Sequence, residues 1–429
     1  MLFKNISYVD EHLNVQKGQH MLIEANKIKY LGSQLPDAHG HDVIDGNNKL
    51  VAPGFYNAHC HIPMTLLRGY GEGLPLQRWL EERMFPYEAK MDRDAIYWAS
   101  MLGALEMIKS GVVSFTDMYF TLDAIIQAVK ETGLKANLSH GLSGSHTQHS
   151  FDQLTGVLDT KRLLEVVSTD DDKIIIDASL HAEYTSDQDT VSLTAAFAKK
   201  HNLRMHTHIS ETRFEHENCK KKHGLTPTAY LEKHGLLDQP TTAAHCVWAE
   251  EEDLEIFREK NVSVVHCISS NLKLGSGFAP IKKMHEKGVR VCIGTDGAAA
   301  NNNLNMLEEI HLAALCNKGI HHDSSFLSPQ EIVKMGSLNG AISQGRTDCG
   351  LIKEGYRADL IVVDMDKPHL QLLHDPLANL VFSAQSDDIC MTVIDGRIVY
   401  NQGEYTGVDQ EKVIFEANRC NEKILASLS

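Results

Sequence analysis

The sequence predicts an α/β fold: a (β/α)₈ barrel with a small β-sandwich domain built from both chain ends. Three observations carry this. Eight short apolar runs alternate with helical stretches between residues 53 and 345. The segments before and after read as β structure. Polar or ionisable residues recur at the ends of the barrel runs, where active sites of such barrels lie.

At 429 residues the chain is long enough for one large and one small domain. Residues 1–52 alternate β-like runs (HMLIEANKIKYLG, HDVIDGNNKLV) with DG and GNN turn signals. The eight barrel runs follow: KLVAPGFYNAHCH, VVSFTDM, LKANLSHGL, IIIDASLHA, LRMHTHISE, TTAAHCV, VSVVHCISS and VRVCIGTDG. Amphipathic stretches such as DAIYWASMLGALEMIKSG and LNMLEEIHLAALCNKG lie between them. After about residue 350 the pattern is β again, and the VIDG near residue 43 recurs at 393–396. The expected organisation is therefore 1–52 with 350–410 as the β-sandwich domain, 53–349 as the barrel, and 411–429 as a closing helix.

A formal net charge of −16 disfavours phosphate backbones and anionic lipid, so neither nucleic acid nor membrane is an expected partner. No long apolar span and no signal peptide is legible. Nine cysteines without a CxxC pair suggest reduced thiols and a cytoplasmic location.

The chemistry begins with HCH at the end of the first barrel run. In a strand, residues i and i+2 share a face, so His59 and His61 aim together. Two imidazoles in a barrel interior are costly unless something binds them, and a divalent metal does. HxH alone is equally a pair of core histidines. Here, however, HTHISE adds His206, His208 and Glu211, AAHC adds His245, VVHC adds His266 and GTDG adds Asp296. His59, His61, His208 and Asp296 form a nitrogen and oxygen donor set that suits one divalent metal, zinc first and iron second. Such an ion lowers the pKa of its bound water towards about 7. Asp296 is expected to touch the metal and take the water's proton. Glu211 is the expected proton shuttle and His245 a hydrogen-bond partner of the developing centre. His206 reads as structural sooner than as a ligand, His266 is open in the same way, and His216, His223, His234, His321 and His322 read as surface.

On PGFYNAHCHIPMTLLRG, LPLQRWLEERMFPYEAKM, HTHISETRFE, SSNLKLGSGFAPI and GTDGAAANNNLNMLEEIHLAAL, the chain resembles the amidohydrolase superfamily. More narrowly it is similar to the 5′-methylthioadenosine/S-adenosylhomocysteine deaminase group and its chlorohydrolase relatives. The resemblance implies a metal-dependent hydrolytic deaminase of an adenine nucleoside: hydroxide attacks C6, and ammonia leaves. It implies Trp79 and Glu88 beside the ribose and His181 against the nucleoside. It also implies a homo-oligomer, dimer or tetramer. The fourth run holds no lysine to bridge two metals (Lys173 precedes it), so one metal is expected. His140 stands where members using adenosylhomocysteine carry an arginine, which points to an uncharged 5′ group and places His140 beside the substrate. Guanine, pterin or triazine hydrolysis, including dechlorination, is the alternative on the same barrel. A metal-free scaffold is a further alternative, disfavoured because every ligand is present. The cytidine-deaminase signature is absent: HAE at 181–183 has no P-C-x-x-C after it.

Overall fold

A computed structural model describes residues 1–144, 150–167 and 172–428. The eight runs form eight parallel strands. In order they are Phe55–Cys60, Val112–Tyr119, Lys135–His140, Ile174–Leu180 (interrupted at Asp177), Met205–Ile209, Thr241–His245, Ser263–His266 and Arg290–Ile293. Hydrogen-bond ladders run through strands one to four and four to eight, the two sets meeting at the break. Eighth and first strands are stitched by Asp296 N–H donating to the His59 carbonyl at 3.0 Å and Asn57 Nδ2 donating to Thr295 Oγ1 at 2.7 Å. Gly294 permits that approach: a Cβ there would sit 2.9 Å from the backbone N and O of His59.

Helices follow the strands and cover the barrel. Arg93–Lys109 is capped by Asp92, whose side chain accepts from Ala95 N–H, and Met306–His321 by Asn305, which accepts from Leu307 and Glu308. Between the first strand and Arg93 the chain makes a longer excursion. It contains two short helices, Leu76–Trp79 and Phe85–Glu88, joined by a π-helical turn at Leu80–Met84. This excursion supplies one wall of the site.

The chain ends meet in one nine-stranded mixed sheet. Leu360–Asp364 pairs antiparallel with Lys49–Pro53, and Lys49–Pro53 pairs parallel with Leu2–Val9. After Lys49–Pro53 a single residue, Gly54, separates this sheet from the first barrel strand. The two units are tied by charge as well as by chain. Lys135, on the third barrel strand and 1% exposed, bonds Asp359 at 2.7 and 2.9 Å and pairs with Asp395 at 2.8 Å. The last helix, Gln410–Leu428, sets Val413 against Met101, Leu105 and Ala128.

None of the helices is long and apolar enough to cross a membrane among the described residues. All nine cysteines are free.

Candidate active site

The C-terminal ends of the barrel strands converge on one point. His59 and His61 leave the first strand on the same face, as alternation requires. His61 donates Nδ1–H to the Met118 carbonyl at 2.7 Å, and His208 donates Nδ1–H to the His181 carbonyl at 2.6 Å. A carbonyl only accepts, so both rings carry their proton on Nδ1 and turn a bare Nε2 inward. Those two Nε2 atoms lie 3.4 Å apart. His59 Nδ1 lies 2.8 Å from His206 Nε2, and its own Nε2, fully buried, has no hydrogen-bond partner among the described residues.

Asp296 Oδ1 is 3.6 Å from His59 Nε2 and 3.5 Å from His61 Nε2. Ser270 Oγ and the Gly297 N–H each donate to its carboxylate at 2.6 Å. Donor atoms of His59, His61 and Asp296 fall within 4.8 Å of one another, as do those of His59, His208 and His245. His59 is common to both sets, and His61 Nε2 lies 3.4 Å from His208 Nε2 and 3.5 Å from Asp296 Oδ1, so His59, His61, His208, His245 and Asp296 form one cluster.

His245 donates Nδ1–H to Asn271 Oδ1 at 2.9 Å, and its Nε2 faces Glu211 Oε2 at 3.8 Å. Burial pushes the Glu211 carboxyl up to about 7, with His245 opposing and Asp296 adding to the rise. Burial would lower His245, but Glu211 and Asp296 leave it raised. Burial would likewise raise Asp296, but the facing imidazoles of His59, His61 and His245 hold it far below the usual carboxylate range. Burial lowers His59 to about 4 and His208 well below its ordinary value, so both rings are neutral at pH 7, the form that binds metal.

Backbone conformation marks the same places. Ser210, His245, Cys246 and Asp296 all adopt positive φ (49°, 70°, 49° and 60°) at the ends of strands five, six and eight. Left-handed backbone at a non-glycine costs on the order of 1–3 kcal/mol and persists where packing over-determines it. Here it turns His245 and Asp296 off their strands and into the cavity mouth.

The cavity above this centre has a volume of about 350 Å³, the size of a small-molecule site. Trp79, Glu88, His140 and His181 all line it, alongside His61, His208, Glu211, His245 and Asp296. Apolar side chains also line it, among them Met64, Leu80, Phe85, Phe120 and Leu274. Tyr119 donates its hydroxyl to Glu88 Oε1 at 2.6 Å, and burial raises the Glu88 carboxyl against that bond. His140 pairs with Asp159 at 3.1 Å, and Arg162 is held by Asp123 and Asp159 rather than reaching the cavity. His146 and His149, in the loop after His140, lie outside the described residues.

Three features were not legible from sequence. His206 supports His59 directly. His216, read as surface, is 2% exposed: its Nδ1 lies 3.1 Å from Ser210 Oγ and its Nε2 3.0 Å from Glu250. It lies on the inward face of helix Arg213–His223 with Glu215 and Cys219. The helix is polar enough overall that its inward face carried no hydrophobic signal. Glu215 is also buried and gathers the backbone beside Glu211.

The chain matches the Amidohydrolase family over residues 50–399. It is 44% identical over 377 residues to the 5-methylthioadenosine/S-adenosylhomocysteine deaminase of Dictyoglomus thermophilum, covering 88% of each chain. It is 39% identical over 398 residues to the 5′-deoxyadenosine deaminase of Methanothermobacter thermautotrophicus, covering 92% of each. A solved adenosine deaminase from Xanthomonas campestris, with bound zinc, superposes with a TM-score of 0.92 at 28% identity over 99% of this chain and 98% of that one. The chain belongs to the amidohydrolase family.

Proposed function

We propose that this amidohydrolase-family chain is a hydrolytic deaminase of adenine nucleosides, converting the 6-amino ring to the 6-oxo ring with release of ammonia. The observation that carries the reading is one juxtaposition. Glu211 and His245 face each other at the mouth of a cavity whose floor holds three inward imidazoles and the ionised Asp296. Relatives that deaminate methylthioadenosine, adenosylhomocysteine and 5′-deoxyadenosine support the nucleoside class.

The donor set fits a divalent metal, held by His59, His61, His208 and Asp296. The buried, unpartnered Nε2 of His59 and the tautomers fixed at His61 and His208 leave nitrogen lone pairs that only a cation or a proton would satisfy. The set suits zinc, which the Xanthomonas adenosine deaminase binds. When bound, the metal supplies Lewis acidity that makes water nucleophilic near neutral pH.

The chain's own residues do the rest. Asp296, held ionised, takes a proton from the attacking water as the C6–O bond forms. Glu211, with its carboxyl poised near neutrality, carries a proton to the adjacent ring nitrogen. His245 hydrogen-bonds the oxygen that accumulates charge. The proton on Asp296 then passes to the departing amine, the C6–N bond breaks as the C6 oxygen becomes a carbonyl, and the proton left on that oxygen returns to Glu211. Trp79 and His181 flank the nucleoside, and Glu88 accepts from the ribose hydroxyls.

His140, already paired with Asp159, offers no clamp for a carboxylate, so we read the 5′ substituent as uncharged, resting on the apolar part of the lining. The test is zinc-loaded protein incubated with adenosine, 5′-deoxyadenosine, methylthioadenosine, S-adenosylhomocysteine and guanine, followed by ammonia release and the ultraviolet shift to hypoxanthine. Turnover of the uncharged nucleosides is expected. Turnover of guanine alone, or of none, rejects the assignment.

A further inference from the structure

Glu211 stands on no regular element. It follows the fifth barrel strand by two residues and precedes helix Arg213–His223 by two. A side chain so placed needs its backbone fixed by something else. The neighbour that reaches it is Glu215, one turn into the helix. The N–H groups of Ser210, Glu211 and Thr212 all donate to the Glu215 carboxylate, at 2.9, 2.9 and 3.3 Å.

A capping box explains only one of these bonds. In that motif the residue at the third helical position bonds the N–H of the N-cap, here Thr212, whose hydroxyl accepts from Glu215 N–H in return. The Ser210 and Glu211 bonds lie outside it. They gather the left-handed turn at Ser210, which reverses the chain so that Glu211 looks back towards His245.

The surroundings argue the same way. A carboxylate that merely caps a helix belongs at the surface. Glu215 is 3% exposed and lies against a second carboxyl, Glu183, 5% exposed, from the loop that follows His181. Burial raises both carboxyls, and their proximity raises Glu183 further; three N–H donors favour the anion on Glu215, so the proton resides on Glu183. Two buried acids are a costly way to end a helix. The gain is that loops carrying His181 and Glu211 are braced on one buried pair.

We propose that Glu215, braced by Glu183, is a positioning residue that fixes the backbone of residues 210–212 and thereby aims Glu211 at the reacting ring. The inference rests on the role given to Glu211 in the proposed reaction.

The test compares wild type, Glu215→Gln and Thr212→Ala. Glu215→Gln puts an amide among three N–H donors. Since a misplacement of about 1 Å costs roughly a hundredfold, kcat should fall tenfold to a hundredfold. KM should stay within about threefold, because the His181 backbone keeps its own bonds to Leu142 and His208. Bound metal per chain should equal wild type. Thr212→Ala removes the cap hydroxyl only: melting temperature should fall, with kcat within about twofold of wild type. Hydrogen–deuterium exchange should show amides 210–212 losing protection in Glu215→Gln and keeping it in Thr212→Ala.

Wild-type kcat in Glu215→Gln, metal loss in step with activity, or an equal kcat loss in Thr212→Ala would overturn the proposal. If Glu215→Gln does not fold, Glu215→Asp, which keeps a shortened carboxylate, should show the same pattern more weakly; unchanged kcat there overturns it too. If wild type releases no ammonia from any nucleoside, the parent reading has failed, and unchanged protection at 210–212 in Glu215→Gln still rejects this one.

Discussion

His206 Nε2 lies 2.8 Å from His59 Nδ1, ring edge to ring face, deep in the barrel. This contact occupies His59 Nδ1 and leaves its Nε2 towards Asp296, so the orientation of one ring is held by the next ring in. His206→Ala should therefore weaken zinc binding by about 10–100-fold, the usual cost of losing a partner behind a ligand. Competition with a chelator of known affinity reads this directly. Unchanged affinity would make His206 a core filler.

Glu211→Gln keeps the size of the side chain and removes its proton chemistry. The expected loss in kcat is about 10²–10⁴-fold, with metal content unchanged. Metal loss in this variant would move Glu211 from proton carrier to ligand.

Lys135 and Asp359 join barrel to end sheet without water: both side chains are at most 1% exposed. Burial would lower Lys135, but Asp359 and Asp395 keep it raised and charged. Lys135→Ala leaves a buried carboxylate unpaired and should cost about 3–5 kcal/mol in urea unfolding. A loss under 1 kcal/mol would mean that water or Arg357, which also bonds Asp395, takes over the charge.

Glu309 is fully buried on helix Met306–His321, accepting from Asn301 Nδ2 at 2.8 Å and Ser269 N–H at 3.3 Å. Burial raises its carboxyl to about 7. The native state thus holds a proton that the unfolded chain, titrating near pH 4.3, has released. Stability from this group is complete below about pH 4.3 and is lost as pH rises towards 7, by on the order of 3 kcal/mol. Urea midpoints at pH 5, 6 and 7 should fall more steeply in wild type than in Glu309→Gln. Parallel slopes would show that Glu309 ionises without penalty.

Among substrates, the apolar part of the lining and the Asp159-paired His140 predict preference for uncharged 5′ groups. Methylthioadenosine should exceed S-adenosylhomocysteine in kcat/KM by about tenfold or more, since an unmatched charge brought to an apolar lining costs at least about 1–3 kcal/mol. Glu88→Gln should raise KM for nucleosides bearing both ribose hydroxyls more than for their 2′-deoxy forms. Equal effects on both would place Glu88 away from the sugar.

The barrel and the face that gathers the candidate metal donors were legible because both follow from local periodicity. Alternation in FYNAHCH and MHTHIS puts His59 with His61, and His206 with His208, whatever else the chain does. The apolar runs fix the strands, and the strand ends fix the mouth. What periodicity does not reach is a partner brought from elsewhere in the chain. His206 was placed on the right face but its target is a ring 147 residues away. Glu183, in the HAE at 181–183, carried no signal of a partner, yet it meets Glu215 because parallel register sets the fourth strand beside the fifth.

The sequence by itself therefore determined the architecture, the donor types and the strand ends that carry them, since each depends on spacing along a few residues. Only the tertiary structure decided which nitrogen of each imidazole faces the centre. The deciding groups are the carbonyls of Met118 and His181 and the ring of His206, presented by neighbouring strands. It also decided the left-handed turns at His245 and Asp296, a backbone that His and Asp tolerate better than most residues but that packing around the mouth imposes. A hydrogen bond between distant residues has no signature in either local pattern, because it exists only once the strands lie side by side.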